Sequence, residues 1–328
     1  MSDVGRLAGV SHQTVSRVLN GNPHVRPETR RRVLAAMNEL GYRPNLTARA
    51  LATGRSHTLG VVSFDTTLYG PASTLLGVER AAHEAGYFIV VASMQALDRG
   101  SLIDAVERLR IQRVDGILAI APLKVAADAL LHAPDEIPLV AVEGGPAADI
   151  PVVEVDQFSG ARSATRHLLD LGHTTVWHIA GPADFLEAER RLEGWRETLG
   201  AAGAQAPPAL NGDWSARSGY DLGRRLAADR SVTAIFVAND QMALGVLRAM
   251  HEAGRSVPRD VSIVGFDDIP EAAYFLPPLT TIRQDFDELG RRSLRLLLRM
   301  IDGGEEPGVA PVGPELIVRA STGVPAVS

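Results

Sequence analysis

The sequence predicts a small all-α headpiece, carrying a helix-turn-helix, in front of an α/β core of two doubly wound parallel-sheet lobes. Three observations lead there. Basic charge is concentrated at the N-terminus. The first forty residues carry three short amphipathic segments separated by tight turns. From Thr58 on, apolar runs of strand length alternate with segments of helix length. The expected divisions are a headpiece at 1–44, a hinge helix and linker at 45–57, and a core at 58–328. Within the core, lobe 1 spans about 58–156 and 284–313, and lobe 2 about 157–283 and 314–328.

The 328 residues suit two or three modules, and 45% hydrophobic with 22% charged residues is an ordinary globular balance. The absence of cysteine excludes disulfides, thiolate metal sites and cysteine nucleophiles. No apolar run approaches the ~18 residues of a membrane span, and the N-terminus lacks a signal-peptide pattern. A cytoplasmic protein without membrane contact is expected. Residues 1–57 hold nine arginines (Arg6, Arg17, Arg26, Arg30, Arg31, Arg32, Arg43, Arg49, Arg55) against Asp3, Glu28 and Glu39, a net +6. The whole chain carries −6, so the remainder carries −12. A basic head on an acidic body is the electrostatic outline of a nucleic-acid binder.

Taken in order, DVGRLA at 3–8 forms a short helix with Val4, Leu7 and Ala8 on one face. Gly9-Val10-Ser11 is a tight turn, and Ser11 is a good N-cap for the next helix. That helix, HQTVSRVLN, has Val15, Val18 and Leu19 at i, i+3, i+4 as its buried stripe and Gly21 as its stop. His12, Gln13, Ser16 and Arg17 then face outward. Gln13 and Arg17 share a face near the helix start, where a recognition helix reads bases; Gln can pair bidentately with adenine and Arg with guanine. A third helix starts at Pro27, a favoured first position, and stops at Gly41, with Val33, Leu34, Met37 and Leu40 as its apolar face. NLTARALATGRS follows from Asn45. It is too short to be helical alone in water, so it is either a helix ordered by docking, its apolar face a minor-groove wedge, or a plain linker.

In the core, TLGVVSF, FIVVAS, VDGILAI, PLVAV and VVEV read as buried strands of one lobe, and TVWHIAG, TAIFVAND and VSIVGFDD as strands of the other. Helix-length segments between them complete repeated βα units. In such folds a ligand sits outside the strand C-termini, between the lobes. Val237-Ala238-Asn239-Asp240 and Gly265-Phe266-Asp267-Asp268 end two strands, Arg190 and Arg191 open a helix, and Trp214 lies in the loop NGDWSARSGY. A carboxylate, an amide, a guanidinium and an aromatic face together suit a sugar. Equally, Asn239 and Asp240 can cap a helix and Trp214 can be local packing. No GxSxG, GxxxxGK[ST] or GxGxxG motif occurs, and the nine histidines show no metal-ligand spacing. Neither catalytic residues, a metal nor a cofactor is expected.

Residues 3–55, with DVGRLAGVSHQTVSRVLNG, HVRPETRRRVLAAMNELGYRPN and ARALATGRS, resemble the headpiece of the lactose repressor (LacI) family. The core resembles it too, through GDWSARSG, VANDQMALG, GFDD and LPPLTTIRQDFDELG, so the likeness covers nearly the whole chain. The resemblance implies a periplasmic-binding-protein-like core and a homodimer on a pseudo-palindromic double-stranded operator. It implies DNA contacts from Ser11, His12, Gln13, Thr14, Ser16, Arg17, Asn20 and His24, and hinge contacts from Asn45, Ala48 and Leu51, with Leu51 entering the minor groove. It also implies a small sugar effector, in outline a galactoside. Arg191, Asn239 and Asp267 would hold its hydroxyls, Trp214 and Phe286 would pack on its ring, and Leu68 and Pro71 would line the other lobe. Ser159 and Ile120 stand where an acidic ligand residue and an asparagine are expected. Other departures are Gly5 in place of alanine, Arg26 in place of a capping Ser or Thr, and a start almost inside the first helix. That start makes Ser2 the expected cap and leaves an upstream start open. The C-terminal VRASTGVPAVS carries no heptads, so a dimer and not a tetramer is expected. The resemblance implies a repressor released by its effector. The alternatives are a corepressed regulator and a sugar-binding module without a DNA role.

Overall fold

A computed structural model describes residues 1–19, 22, 24–42, 54–64, 67–94, 99–120, 124, 137–143, 150–304 and 308–326. Asn20, Gly21, Asn45, Ala48 and Leu51 lie outside the described residues. The chain divides into two compact units, Met1–Ser56 and His57–Ser328.

The first unit is built on α1 (Ser2–Ala8), α2 (His12–Leu19) and α3 (Pro27–Glu39). Gly9 ends α1 in the left-handed conformation, φ 62°, which a glycine adopts without steric cost. Ser11 caps α2, its Oγ accepting from the Thr14 N–H at 3.2 Å. Val4, Ala8, Val15, Val18, Val33, Ala36 and Met37 close the core. Leu7, Leu34 and Leu40 do not join it and are each nearly half exposed, because so small a core is filled by one stripe per helix. Ser2 is the first helical residue and not the cap, which is Met1 without a side-chain bond. Gly5 has a packing reason: a Cβ there would lie 2.8 Å from the Val10 carbonyl oxygen of the turn.

In the second unit, β1 (Thr58–Ser63), β2 (Phe88–Ser93), β3 (Gly116–Ile120), β4 (Leu139–Val142) and β5 (Val152–Val153) form a parallel sheet in the order β2-β1-β3-β4-β5. Leu59 and Val61 point to one face and Val62 to the other, as a period of two requires. One face is covered by α4 (Tyr69–Glu84) and α10 (Phe286–Ile301), the other by α5 (Arg99–Ile111). Strands buried on both sides therefore read as unbroken apolar runs. The expectation of a buried strand fails at β2. Its edge position leaves Phe88 63%, Val90 39% and Val91 42% exposed.

The second sheet, also parallel, runs β7-β6-β8-β9, from β6 (Trp177–Ala180), β7 (Leu210–Asn211), β8 (Ala234–Val237) and β9 (Ser262–Val264). The two-residue β7 carries too short a pattern to be seen in sequence. Helix α6 (Gln157–Asp170) leads into β6, and α7 (Leu186–Ala201), α8 (Ala216–Ala227) and α9 (Asp240–Glu252) lie between the strands. The chain then crosses back: β10 (Thr281–Arg283) leads to α10 on lobe 1, and β11 (Glu315–Ile317) returns to pair antiparallel with β10. Asp268 secures this return, accepting from Arg319 at 2.6 Å and Arg283 at 2.7 Å.

Candidate functional site

On the first unit, α2 presents its polar side to solvent. Ser11, His12, Gln13 and Arg17 are exposed, and Thr14 and Ser16 are half-buried. Gln13 and Arg17 are one helical turn apart, as the sequence predicts. Thr14, Arg17, Asn22, His24 and Arg26 line one surface groove, so His24 comes from beyond α2 to join the same face. The Asn22 side chain accepts from the His24 N–H at 2.9 Å and fixes that approach. Sequence reasoning did not single out Arg32. Its guanidinium donates twice to the Ala8 carbonyl, at 2.7 and 3.1 Å, and ties α3 to the end of α1. Its work is structural, on one of the unpaired carbonyls that every helix end leaves.

In the second unit a cavity of about 320 Å³ opens at the C-terminal ends of both sheets. Leu68, Pro71 and Ile120 supply the lobe 1 wall, Arg191, Trp214, Asn239 and Asp267 the lobe 2 wall, and Phe286 enters from α10. Seven of the eight ligand positions expected from the sequence thus converge. Ser159 is the exception and is corrected. It lies in the first turn of α6, where Asp156 binds both its N–H and its hydroxyl, and it faces a separate surface groove with Arg162 and Arg166. Gln157, two residues earlier on that helix, lines the cavity instead.

The polar lining is one network. Arg191, 3% exposed, donates from Nε to Gln157 Oε1 at 2.9 Å and from Nη1 to the Ala238 carbonyl, with Nη2 3.7 Å from Asp267. Gln157 donates to Gln284 Oε1 at 2.8 Å, and Gln284 donates to Asp267 at 2.7 Å. The Phe266 ring sits beneath the guanidinium, 3.8 Å from its carbon to the ring centre. This cation–π contact helps hold a buried charge. Asn239 does two jobs: its Oδ1 caps α9 by accepting from Met242 N–H, and its amide donates to the Trp214 carbonyl at 3.1 Å. Asp240 is structural. It is fully buried and accepts from Thr281 and from the Ile269 N–H.

Trp214 is 7% exposed and edge-on to Phe185. Its ring lies against Gly181, where a Cβ would come within 2.2 Å. Glu143, Trp214 and Asp267 all have left-handed backbones, with φ of 59°, 71° and 107°. Such conformations cost about 1–3 kcal/mol each and collect at binding sites.

Burial also acts on the acids. It raises Asp267 to about 6 against the pull of Arg191 and Gln284, Glu187 to about 7 against Arg191, and Glu143 to about 8, helped by Glu187. Glu143, Glu187, Gln157 and Gln284 were not singled out from the sequence. Two faint signals existed: Glu143 directly follows β4, and Glu187 stands four residues before Arg191 on one helix face. Among the described residues no group of three His or acidic side chains could hold a metal ion, and no helix is long and apolar enough to cross a membrane.

Residues 1–45 match the model of the bacterial regulatory proteins, lacI family, and residues 165–322 that of the periplasmic binding protein-like domain. The chain is 37% identical over 325 residues to the lactose operon repressor of Escherichia coli (strain K12), covering 98% of this chain and 90% of that one. It is 35% identical over 306 residues to the ribose operon repressor of the same organism, covering 92% of each. A crystal structure of the lac repressor dimer bound to operator and the anti-inducer ONPF superposes with a TM-score of 0.86 at 36% identity over 98% of both chains.

Proposed function

This chain belongs to the lacI family of bacterial regulatory proteins, and from that premise we propose that it is a homodimeric transcriptional repressor whose grip on operator DNA is lowered by a small sugar, a galactoside in outline, bound in the lobe cavity. The observation that carries the sugar is the convergence of Arg191, Asn239, Asp267 and Trp214 on one enclosed space at the strand ends. Hydrogen-bonding side chains beside aromatic faces match hydroxyls on one side of a sugar ring and C–H groups on the other. Operator binding is supported by the exposed Gln13 and Arg17 on α2, and by the +6 charge on the first 57 residues. The hinge roles of Asn45, Ala48 and Leu51 rest on the family resemblance.

Self-association has its own support. Phe88, Val90 and Val91 on the open edge of β2 and Tyr274 and Leu276 beyond β9, the last two 86% and 91% exposed, are large apolar groups facing water. A second copy of the chain would cover them, and two headpieces are what a pseudo-palindrome requires. The binding roles of the lining residues account for a non-catalytic cavity: it serves as a sensor and not an active site.

The test uses the full chain. An operator is selected from random duplexes, and its complex is then titrated with galactosides and glucosides while DNA anisotropy is followed. Release by a galactoside is the expected outcome. Tighter DNA binding with ligand would replace induction by corepression, and by linkage operator would then raise ligand affinity by the same factor. Leu51→Ala should weaken operator binding and leave sugar affinity intact; wild-type operator affinity in that variant would make the 45–57 segment a plain linker.

A further inference from the structure

The cavity is lined by more acids than cations. Glu143, Glu187, Asp213 and Asp267 all line it, against Arg191 as the one cation among its lining residues. Arg191 is already committed to Asp267, Gln157 and the Ala238 carbonyl. Asp267 also has Gln284, and Asp213 accepts from the Ser215 N–H at 2.9 Å and its hydroxyl at 2.6 Å. That leaves two carboxylates. Among the described residues Glu143 has only neutral donors, the Val155 N–H at 3.1 Å and Gln157 at 3.5 Å. Glu187 has no hydrogen bond or ion pair among the described residues. The chain segments that follow β3 and β4, residues 121–136 and 144–149, contain one lysine, one histidine (His132) and no arginine. That lysine, Lys124, pairs with Glu189 at 3.0 Å.

Two further polar atoms wait for partners. Among the described residues the Trp214 indole N–H, on a side chain 7% exposed, has no acceptor, and the buried Gln241 Oε1 has no donor; both residues line the cavity. Buried polar groups are rarely left so, and a ligand that supplies an acceptor, a donor and a positive charge would satisfy all four groups.

We infer that the effector is an amino sugar, its protonated nitrogen lodged between Glu143 and Glu187 and its hydroxyls met by Trp214, Gln241, Asp267 and Arg191. This rests on the sugar-binding reading above and narrows its ligand class. A neutral sugar of the same shape brings no counter-charge, so both acids must stay protonated beside it, because a buried unpaired charge is costly. An ammonium group turns that cost into attraction, and so discriminates the amine from its hydroxyl and acetamido relatives.

Proton traffic supplies an independent signature. Glu143, held up at about 8, is faced by Glu187, Glu154 and Arg191, and Glu187, at about 7, by Arg191 and Asp267. Near pH 7 both therefore carry a large share of protonated carboxyl. An arriving ammonium favours the charged forms, so binding releases protons, and a neutral sugar releases none.

The experiment is calorimetric titration of the full chain with galactose, galactosamine and N-acetylgalactosamine, and with the corresponding glucose set, in two buffers of different ionisation enthalpy. The amines are expected to bind at least tenfold more tightly than their neutral relatives, with a buffer-dependent heat that reports proton release. In Glu187→Gln and Glu143→Gln the preference should shrink to within about twofold. Neutral sugars binding as tightly as the amines would overturn the inference and leave the sugar reading standing, as would a preference that survives in the Glu143→Gln/Glu187→Gln double variant. If no sugar binds while an alkyl diamine or a purine does, the sugar reading itself fails. The comparison among wild-type titrations needs no variant, so a misfolded mutant cannot obscure the result.

Discussion

The exposed polar face of α2 and the lobe cavity solve opposite problems. The first is assembled from residues 11–26, adjacent in sequence, and its polar side chains remain in water. The second brings together residues more than two hundred positions apart, Leu68 and Phe286 among them, and buries its charges. A surface that must meet a polyanion needs little internal support, since the partner brings the opposing charge. A cavity that must hold Arg191 and Asp267 away from water needs a partner for each polar atom, because low-dielectric surroundings penalise any that is left over. The contrast predicts that substitutions in the cavity damage stability and binding together, whereas substitutions on α2 change recognition alone.

Arg191→Ala tests the contrast most severely. It removes the counter-charge of Asp267 and the donor to Gln157, and breaking one side of a buried pair typically costs about 3–5 kcal/mol. Sugar binding measured by Trp fluorescence should vanish and the thermal transition of the second unit should fall by many degrees. A variant that keeps wild-type stability would mean that the network is not integral to the fold. Arg17→Ala and Gln13→Ala should each lose about 1–3 kcal/mol of discrimination at particular operator base pairs. Their melting curves should be unchanged. Uniform weakening on all DNA, read from competition with random duplexes, would place these side chains on phosphate and not on bases.

Arg32→Ala probes the opposite corner: an arginine in the basic unit that works structurally. Loss of its donation to the Ala8 carbonyl should destabilise the first unit by about 1 kcal/mol, discounted because the side chain is exposed. Operator base preference should survive. A changed preference without lost stability would move Arg32 to the DNA face.

The buried acids also make the second unit pH-dependent. Glu143, Glu187 and Asp267 have folded pKa values near 8, 7 and 6, above the ordinary carboxylate range. The folded state thus binds more protons than the unfolded state between about pH 4 and 8, and stability falls as pH rises through that window. Melting temperature should decline from pH 5 to pH 9, and Glu143→Gln with Glu187→Gln should flatten the slope. A rise over that range would reverse the assigned shifts.

Local features of the chain were sufficient for the headpiece and the layout of the lobes. Ser11 capping α2, Gly9 turning the chain, Pro27 opening α3 and the apolar runs of β1, β3 and β4 act within a few residues of themselves, so their physics is visible in one dimension. That Arg191, Trp214 and Asp267 meet at the strand ends was legible as well, because parallel sheets put such clefts there. Tertiary structure alone decided the rest. FIVVAS has the composition of a buried strand, but only the strand order puts it at an edge. Ser159 and Gln157 differ by two positions on one helix, and only the packing of α6 turned Gln157 to the cavity and left Ser159 to Asp156. Glu143 and Glu187 are unremarkable acids until three chain crossings enclose them. Burial and the scarcity of counter-charge belong to the assembled neighbourhood, and a residue's neighbours across a lobe are not written in the residues beside it.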